Sequence, residues 1–207
     1  MSPGIQLRDL TCERGDRALF AHLSLQVDPG ELLRVHGANG AGKTSLLRML
    51  CGLLLPTHGQ VLWRGLPLSS QREDFGRELV YLGHAAALKN ELSPLENLLD
   101  ACALGGRTPG VPAALAALKG AGLRGYEHTE VRRLSQGQRR RSALARLTLS
   151  QNAPLWVLDE PFNALDTAAT AWLAGQIGVH LSNAGIVVLT SHQDIPVNAA
   201  NEKTLAL

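Results

Sequence analysis

The sequence predicts an α/β fold with a mixed central sheet, an N-terminal antiparallel β subdomain and an inserted α-helical subdomain. Three observations carry this prediction. Leu32 to His36 is an apolar run that enters a glycine-rich loop, and Thr44 to Leu54 leaves that loop with helical spacing, the pattern of a βα unit. Leu19, Ala21, Leu23, Leu25 and Val27 alternate with Phe20, His22, Ser24 and Gln26, the period of a half-buried strand. Leu155 to Leu158 and Ile186 to Thr190 are unbroken apolar runs, as expected of parallel strands covered on both faces.

The remaining elements follow in order. The opening section reads as antiparallel strands, and Pro29-Gly30 turns the chain ahead of the Leu32 run. Gly59 to Pro67 reads as a hairpin and Glu78 to Leu82 as another strand. From about Ser93 to Ser150 the chain becomes alanine- and leucine-rich with helical character, broken at Gly105-Gly106 and Pro109-Gly110. This helical insert lies between sheet strands, so it is a subdomain rather than a linker. The expected division is one domain over residues 1–207, with a core of about 1–84 and 151–207 and a helical subdomain of about 85–150.

Composition bounds the function classes. A chain of 207 residues, 45% hydrophobic and 18% charged, suits one globular domain and excludes disorder. A net charge of +2 gives no electrostatic footprint for nucleic acid, and none is expected as a partner. The segment Met1 to Asp9 lacks the basic start and apolar stretch of a signal peptide. The most apolar stretch, Leu46 to Leu55, is interrupted by Arg48 and Gly52 and is too short to span a bilayer. The expectation is therefore a cytosolic chain whose membrane role, if it has one, comes through a partner. Cys12, Cys51 and Cys102 are scattered with no CxxC pair, which fits a reducing compartment and a packing role.

Gly37-Ala38-Asn39-Gly40-Ala41-Gly42-Lys43-Thr44 matches GxxxxGK[ST] at every fixed position, and Ser45 follows in the helix's first turn. Small residues let consecutive backbone N–H groups close around phosphates, and the helix that follows adds its positive end. Lys43 supplies a mobile positive charge for the terminal phosphates, and the Thr44 hydroxyl binds Mg²⁺. The plainer alternative, a glycine-rich turn, carries little weight with a strand before it and a helix after.

A second element is Leu155-Trp156-Val157-Leu158-Asp159-Glu160-Pro161. A buried strand ending in two acids is costly unless those charges meet a cation or a reacting water. Asp159 is placed to hold the Mg²⁺ shell. Glu160 is the candidate general base for the attacking water. A third is Leu134-Ser135-Gln136-Gly137-Gln138, where Ser135 can cap a helix running through Arg139, Arg140, Arg141, Leu144, Ala145 and Leu147. Taken alone, this segment is a capped amphipathic helix with a solvated arginine face. Gly137 adds room for a phosphate to approach the backbone.

Together, Gly37–Thr44, Leu134–Gln138, Leu155–Pro161, Asn163-Ala164-Leu165-Asp166 and Thr190-Ser191-His192 resemble an ATP-binding-cassette nucleotide-binding domain, over nearly the whole chain and in the family's order. The resemblance implies a P-loop nucleotide-hydrolysing fold, ATP and Mg²⁺, and a site shared by two copies. ATP on the Lys43 loop of one copy would be capped by Ser135, Gln136, Gly137 and Gln138 of the other. The loop ending at Asp166 would communicate across that interface, and His192 would hold the γ-phosphate and the water.

Two departures stand out. Arg14 occupies the place of the family's adenine-stacking aromatic residue. Its guanidinium can stack on a base or serve as a solvated turn charge, and the two readings weigh equally. His84 stands where the family's loop glutamine would be, as a ligand near Mg²⁺ or as a satisfied loop histidine.

Tyr81-Leu82-Gly83-His84, Leu88 to Ser93, Glu96-Asn97-Leu98 and Gly137 to Arg141 resemble the ATPase subunits of the haem exporter used in bacterial cytochrome c maturation. That resemblance implies a homodimer of nucleotide-binding domains, an integral membrane transporter subunit, and a peripheral location on the cytoplasmic face of the inner membrane. The segment His84 to Leu99 is the expected docking surface. A generic drug, peptide or lipid exporter and a soluble iron–sulfur assembly ATPase are the rival readings.

Overall fold

The structure is a computed structural model and describes residues 4–15, 17–191 and 197–207. Two sheets divide the strand senses between them. Strands β1 (Ile5–Arg14), β2 (Arg17–Val27), β4 (His58–Trp63) and β5 (Leu66–Pro67) form an antiparallel sheet in the order β2-β1-β4-β5. Strands β3 (Glu31–His36), β6 (Leu79–Leu82), β7 (Leu155–Leu158), β8 (Ile186–Thr190) and β9 (Asn201–Ala206) form a parallel sheet in the order β6-β7-β8-β3-β9.

The unbroken apolar runs are explained by what each face of the parallel sheet meets. Leu155 and Val157 of β7, with Ile186 and Val188 of β8, face a cluster shared with helix α1 (Lys43–Leu50) and the antiparallel sheet. Trp156 and Leu158, with Val187 and Leu189, face the opposite cluster, which helix α6 (Thr167–Ser182) covers through Leu173, Ile177 and Leu181. With both faces covered, β7 and β8 are apolar along their length and turn polar only at their ends.

The alternation read in β2 holds from Leu23 to Val27 and fails before it. Register shifts between Leu7, Leu10 and Cys12 bulge the β1–β2 pair. At the bulge Asp9 and His22 both take positive φ and pair through their side chains, Nδ1 to Oδ1, at 2.8 Å. Beyond it Leu19 and Phe20 pack inward together and cover the glycine loop.

The helix expected from Thr44 to Leu54 ends at Leu50. Gly52 N donates to Met49 O at 3.0 Å and Leu53 N to Arg48 O at 2.8 Å, the paired bonds of a Schellman closure. Leu53 and Leu55 lie exposed beyond it, so the apolar run had extended the expected helix. A helix absent from that reading, α2 (Arg72–Glu78), takes Glu78 out of the following strand.

The alanine-rich insert forms α3 (Pro94–Leu104), α4 (Val111–Gly120) and α5 (Gln136–Leu144), followed by a 3₁₀ stretch, Ala145–Leu149. Leu95, Leu98, Cys102, Ala114 and Leu118 make a third cluster, which Trp172 of α6 joins to the sheet cluster. Both α3 and α5 begin with a complete capping box, Ser93 with Glu96 and Ser135 with Gln138. The three cysteines are buried and unpaired. Among the described residues, no helix is long and apolar enough to cross a membrane.

Candidate functional site

β3 delivers the chain into the loop 37–42, and α1 starts at its far end. Gly42 takes φ 105 there, and a Cβ on it would lie 3.1 Å from Leu19 and Phe20. Only glycine serves both demands. The Lys43 side chain is folded into the loop, where its ammonium donates to the Gly37 carbonyl at 2.7 Å and the Ala38 carbonyl at 3.2 Å. A positive charge is thus held by two carbonyl dipoles at the floor of a cavity of about 510 Å³, walled by Ala38, Asn39, Gly40, Thr44 and Ser45. Ala41 closes the loop's first turn through its N–H to the Ala38 carbonyl.

Another wall comes from the end of β7, which β8 backs. Parallel pairing sets Leu158 beside Leu189, so the next residues, Asp159 and Thr190, emerge together. Asp159 is 2% exposed. Its Oδ2 accepts from Thr44 Oγ1 at 3.0 Å and its Oδ1 from Thr190 Oγ1 at 2.8 Å. Thr190 Oγ1 in turn accepts from the Glu160 N–H at 2.8 Å. Thr190 had entered the sequence reading only as part of a motif. The structure makes it the hinge between the two acids, and its place at the end of a buried strand was the available signal.

Glu160 lines the same cavity, is 7% exposed, and takes φ 48. A left-handed non-glycine residue costs on the order of 1–3 kcal/mol and persists only when its surroundings fix it. Here the N–H goes to Thr190, and the carbonyl accepts from Asn163 N at 3.2 Å and from Arg140 at 2.8 Å. Asp159 and Thr44 offer two hard oxygen donors, which fits Mg²⁺, an ion that takes its remaining ligands from phosphates and water. Among the described residues, no group of three or more His, Cys, Asp or Glu is placed to hold a metal by itself.

Arg14 and His84 both reach this cavity and both are exposed. Ser135, Gln136, Gly137 and Gln138 do not line it. They open α5 on another face, where Ser135 Oγ accepts from Gln138 N and Gln138 Oε1 from Ser135 N. Gly137 has a reason inside its own chain: a Cβ there would lie 2.8 Å from the Ala164 carbonyl. Asp166 caps α6, accepting from Ala169 N at 2.8 Å. His192, the other candidate catalytic residue, lies outside the described residues.

The arginine face of α5 is not wholly solvated, contrary to the simple helical reading. Arg140 is 7% exposed and turns inward onto the site. Burial lowers its pKa, and the charges of Asp159 and Glu160 act in the opposite direction.

A profile of the ABC transporter family matches residues 20–163. A cytochrome c biogenesis ATP-binding export protein CcmA from Dechloromonas aromatica is 49% identical over 98% of this chain and 99% of its own. Another, from Aromatoleum aromaticum, is 52% identical over 94% and 91%. An ABC transporter ATP-binding protein from Pyrococcus furiosus superposes with a TM-score of 0.82 at 25% identity, over 97% of this chain and 96% of that one. A dimeric post-hydrolysis ATP-binding cassette bound to ADP and phosphate superposes equally well at 24% identity, covering 97% and 94%. The chain belongs to the ABC transporter family and, within it, to the cytochrome c biogenesis ATP-binding export proteins.

Proposed function

We propose that the chain hydrolyses ATP to drive the haem exporter of bacterial cytochrome c biogenesis, as one of two identical subunits docked on an integral membrane partner at the cytoplasmic face of the inner membrane. One observation carries the reading: Lys43, Thr44, Asp159 and Glu160, from two distant stretches of sequence, converge on a single cavity at the mouth of the glycine loop. The relatives' names, ATP-binding export proteins of cytochrome c biogenesis, support the export role and its setting in cytochrome c biogenesis.

Lys43 exchanges its two loop carbonyls for β- and γ-phosphate oxygens, and loop N–H groups cradle the rest of the triphosphate. Thr44 and Asp159 would hold Mg²⁺, which would neutralise phosphate charge. Glu160 accepts a proton from a water as that water's oxygen bonds to the γ-phosphorus, and the bond to ADP breaks. Ser135 to Gln138 of the second copy cap the same nucleotide, because in their own chain they face away from it. Asp166 faces that second copy, and His192 holds the γ-phosphate. Arg14 stacks on the base, and His84 would serve as a ligand near Mg²⁺. Residues 85–150 act as the subdomain that passes motion to the membrane subunit through His84 to Leu99.

Glu160→Gln tests the reading. Turnover should fall by about 10²–10⁴-fold, while ATP-dependent dimerisation, followed by light scattering, survives. Undiminished hydrolysis removes Glu160 from the mechanism.

A further inference from the structure

Arg140 is the one arginine of α5 whose head is withdrawn into the protein, and what it meets there is unusual. A guanidinium carries five N–H donors in a rigid planar fork. Arg140 directs them at five main-chain carbonyls. Nε donates to Pro161 O at 3.4 Å; one terminal nitrogen donates to Gly83 O at 3.0 Å and His84 O at 3.3 Å; the other donates to Asp159 O and Glu160 O at 2.8 Å each. Among the described residues it forms no ion pair, and all five of its hydrogen bonds go to peptide carbonyls.

Those carbonyls belong to two segments: the end of β6 running into His84, and the turn that holds Glu160 at φ 48. Arg140 itself comes from a third, the helix opened by Ser135. One side chain therefore ties α5 to the backbone of both loops that face the reacting end of the cavity. A residue needed only to fill space there would be apolar. A lysine would bring three donors at one point and could not span both segments.

We propose that Arg140 is a positioning residue for ATP hydrolysis: by clamping the carbonyls of Glu160 and His84 to α5, it sets the Glu160 carboxylate against the attacking water. The proposal rests on the reading of Glu160 as the general base. It also gives α5 two duties. Its N-terminus faces a second copy, while Arg140, less than two turns along, holds the base of its own copy.

The test is single-turnover and steady-state ATP hydrolysis by the full chain carrying Arg140→Gln, Arg140→Lys, Glu160→Gln, or each Arg140 variant combined with Glu160→Gln. Arg140→Gln should lower kcat about tenfold or more, with KM and nucleotide affinity within about twofold of the parent. Arg140→Lys should fall between the two, and it carries the comparison if the glutamine variant does not fold.

Added to Glu160→Gln, either change should lower the residual rate by less than about twofold, because both act through one group. Turnover by both Arg140 variants at the parent rate would overturn the proposal, as would a loss that multiplies in full onto Glu160→Gln. Loss of kcat and nucleotide affinity together would reduce Arg140 to a fold-supporting residue. Failure of the underlying reading looks different: Glu160→Gln alone would then hydrolyse ATP at the parent rate.

Discussion

The strand ends beside the glycine loop and the start of α5 are both clusters of short polar groups, and they are satisfied in different ways. At the strand ends Asp159, Thr190, Thr44 and the Glu160 backbone bond to one another across residues far apart in sequence, all but Thr44 almost fully buried. At α5 Ser135 and Gln138 bond each other's backbone three residues apart, on an exposed face. The first cluster exists only when the sheet has formed, so damage to it reaches folding and chemistry together. The second is a local device, and a substitution there can leave the fold intact while removing whatever a second molecule finds on that face.

The largest effect should come from setting the two clusters against each other. Lys43→Ala and Ser135→Arg should each lower ATPase turnover by about 10²-fold or more. In a two-fold head-to-tail pair each site draws its loop from one copy and its α5 from the other. An equal mixture of the two variants therefore holds some pairs with one intact site, and should recover roughly a quarter of parental activity. No recovery on mixing would place the Ser135 cluster in its own chain's site and dissolve the contrast. Dilution gives a second reading of the same point: specific activity should fall with protein concentration.

The next effect concerns the scaffold behind the buried cluster. His180, at the end of α6, stacks on Trp156 of β7 with ring centroids 3.9 Å apart. Burial lowers its pKa to about 4, with the backbone of Gln151 and Ile186 pulling the other way. The unfolded chain takes up the proton near pH 6.5 and the folded chain near 4, so stability is lost as pH falls through that window. The loss should reach about 3 kcal/mol. Urea unfolding of the parent at pH 7 and pH 4.5 should show that slope, and His180→Gln should lack it. Equal acid slopes in the two proteins would break the link between β7's packing and this histidine.

Thr190→Val keeps the shape of the side chain but removes the oxygen shared by Asp159 and the Glu160 N–H. A buried donor left without a partner costs about 1–3 kcal/mol. Thermal unfolding should register that loss, and turnover should fall in the same variant. Lost turnover with an unchanged melting temperature would mean that the buried cluster does not contribute to folding.

How much of this could be read from the chain follows the same division. The glycine loop, the two unbroken strands and the Ser135 cap are local patterns, and the structure places them where the sequence does. Arg140 could not be read that way. In sequence it sits between Arg139 and Arg141 in a run that reads as solvated arginine, and only the strand ends of other parts of the chain reveal five carbonyls waiting for it. Thr190 was similarly hidden, because its role depends on parallel register with β7. Leu53 to Leu55 misled in the opposite direction: apolar residues extended the expected α1, while backbone closure at Gly52 ended it.

The smallest effect gives the sharpest form of the comparison. Ser93 and Ser135 head α3 and α5 with the same capping geometry, each accepting from the N–H three residues on. Ser93→Ala and Ser135→Ala should each cost about 1 kcal/mol of stability, read from the urea midpoint, because the lost bond is of the same kind. Ser93 is buried against its own helix, with Oγ also donating to Glu96 Oε2 at 2.7 Å, so its loss should leave turnover per folded molecule close to the parent's. Ser135 is exposed, and its loss should lower turnover severalfold beyond anything stability explains. Equal turnover in the two alanine variants would make Ser135 a cap and nothing more, and the face of α5 would then need another residue to meet the second copy.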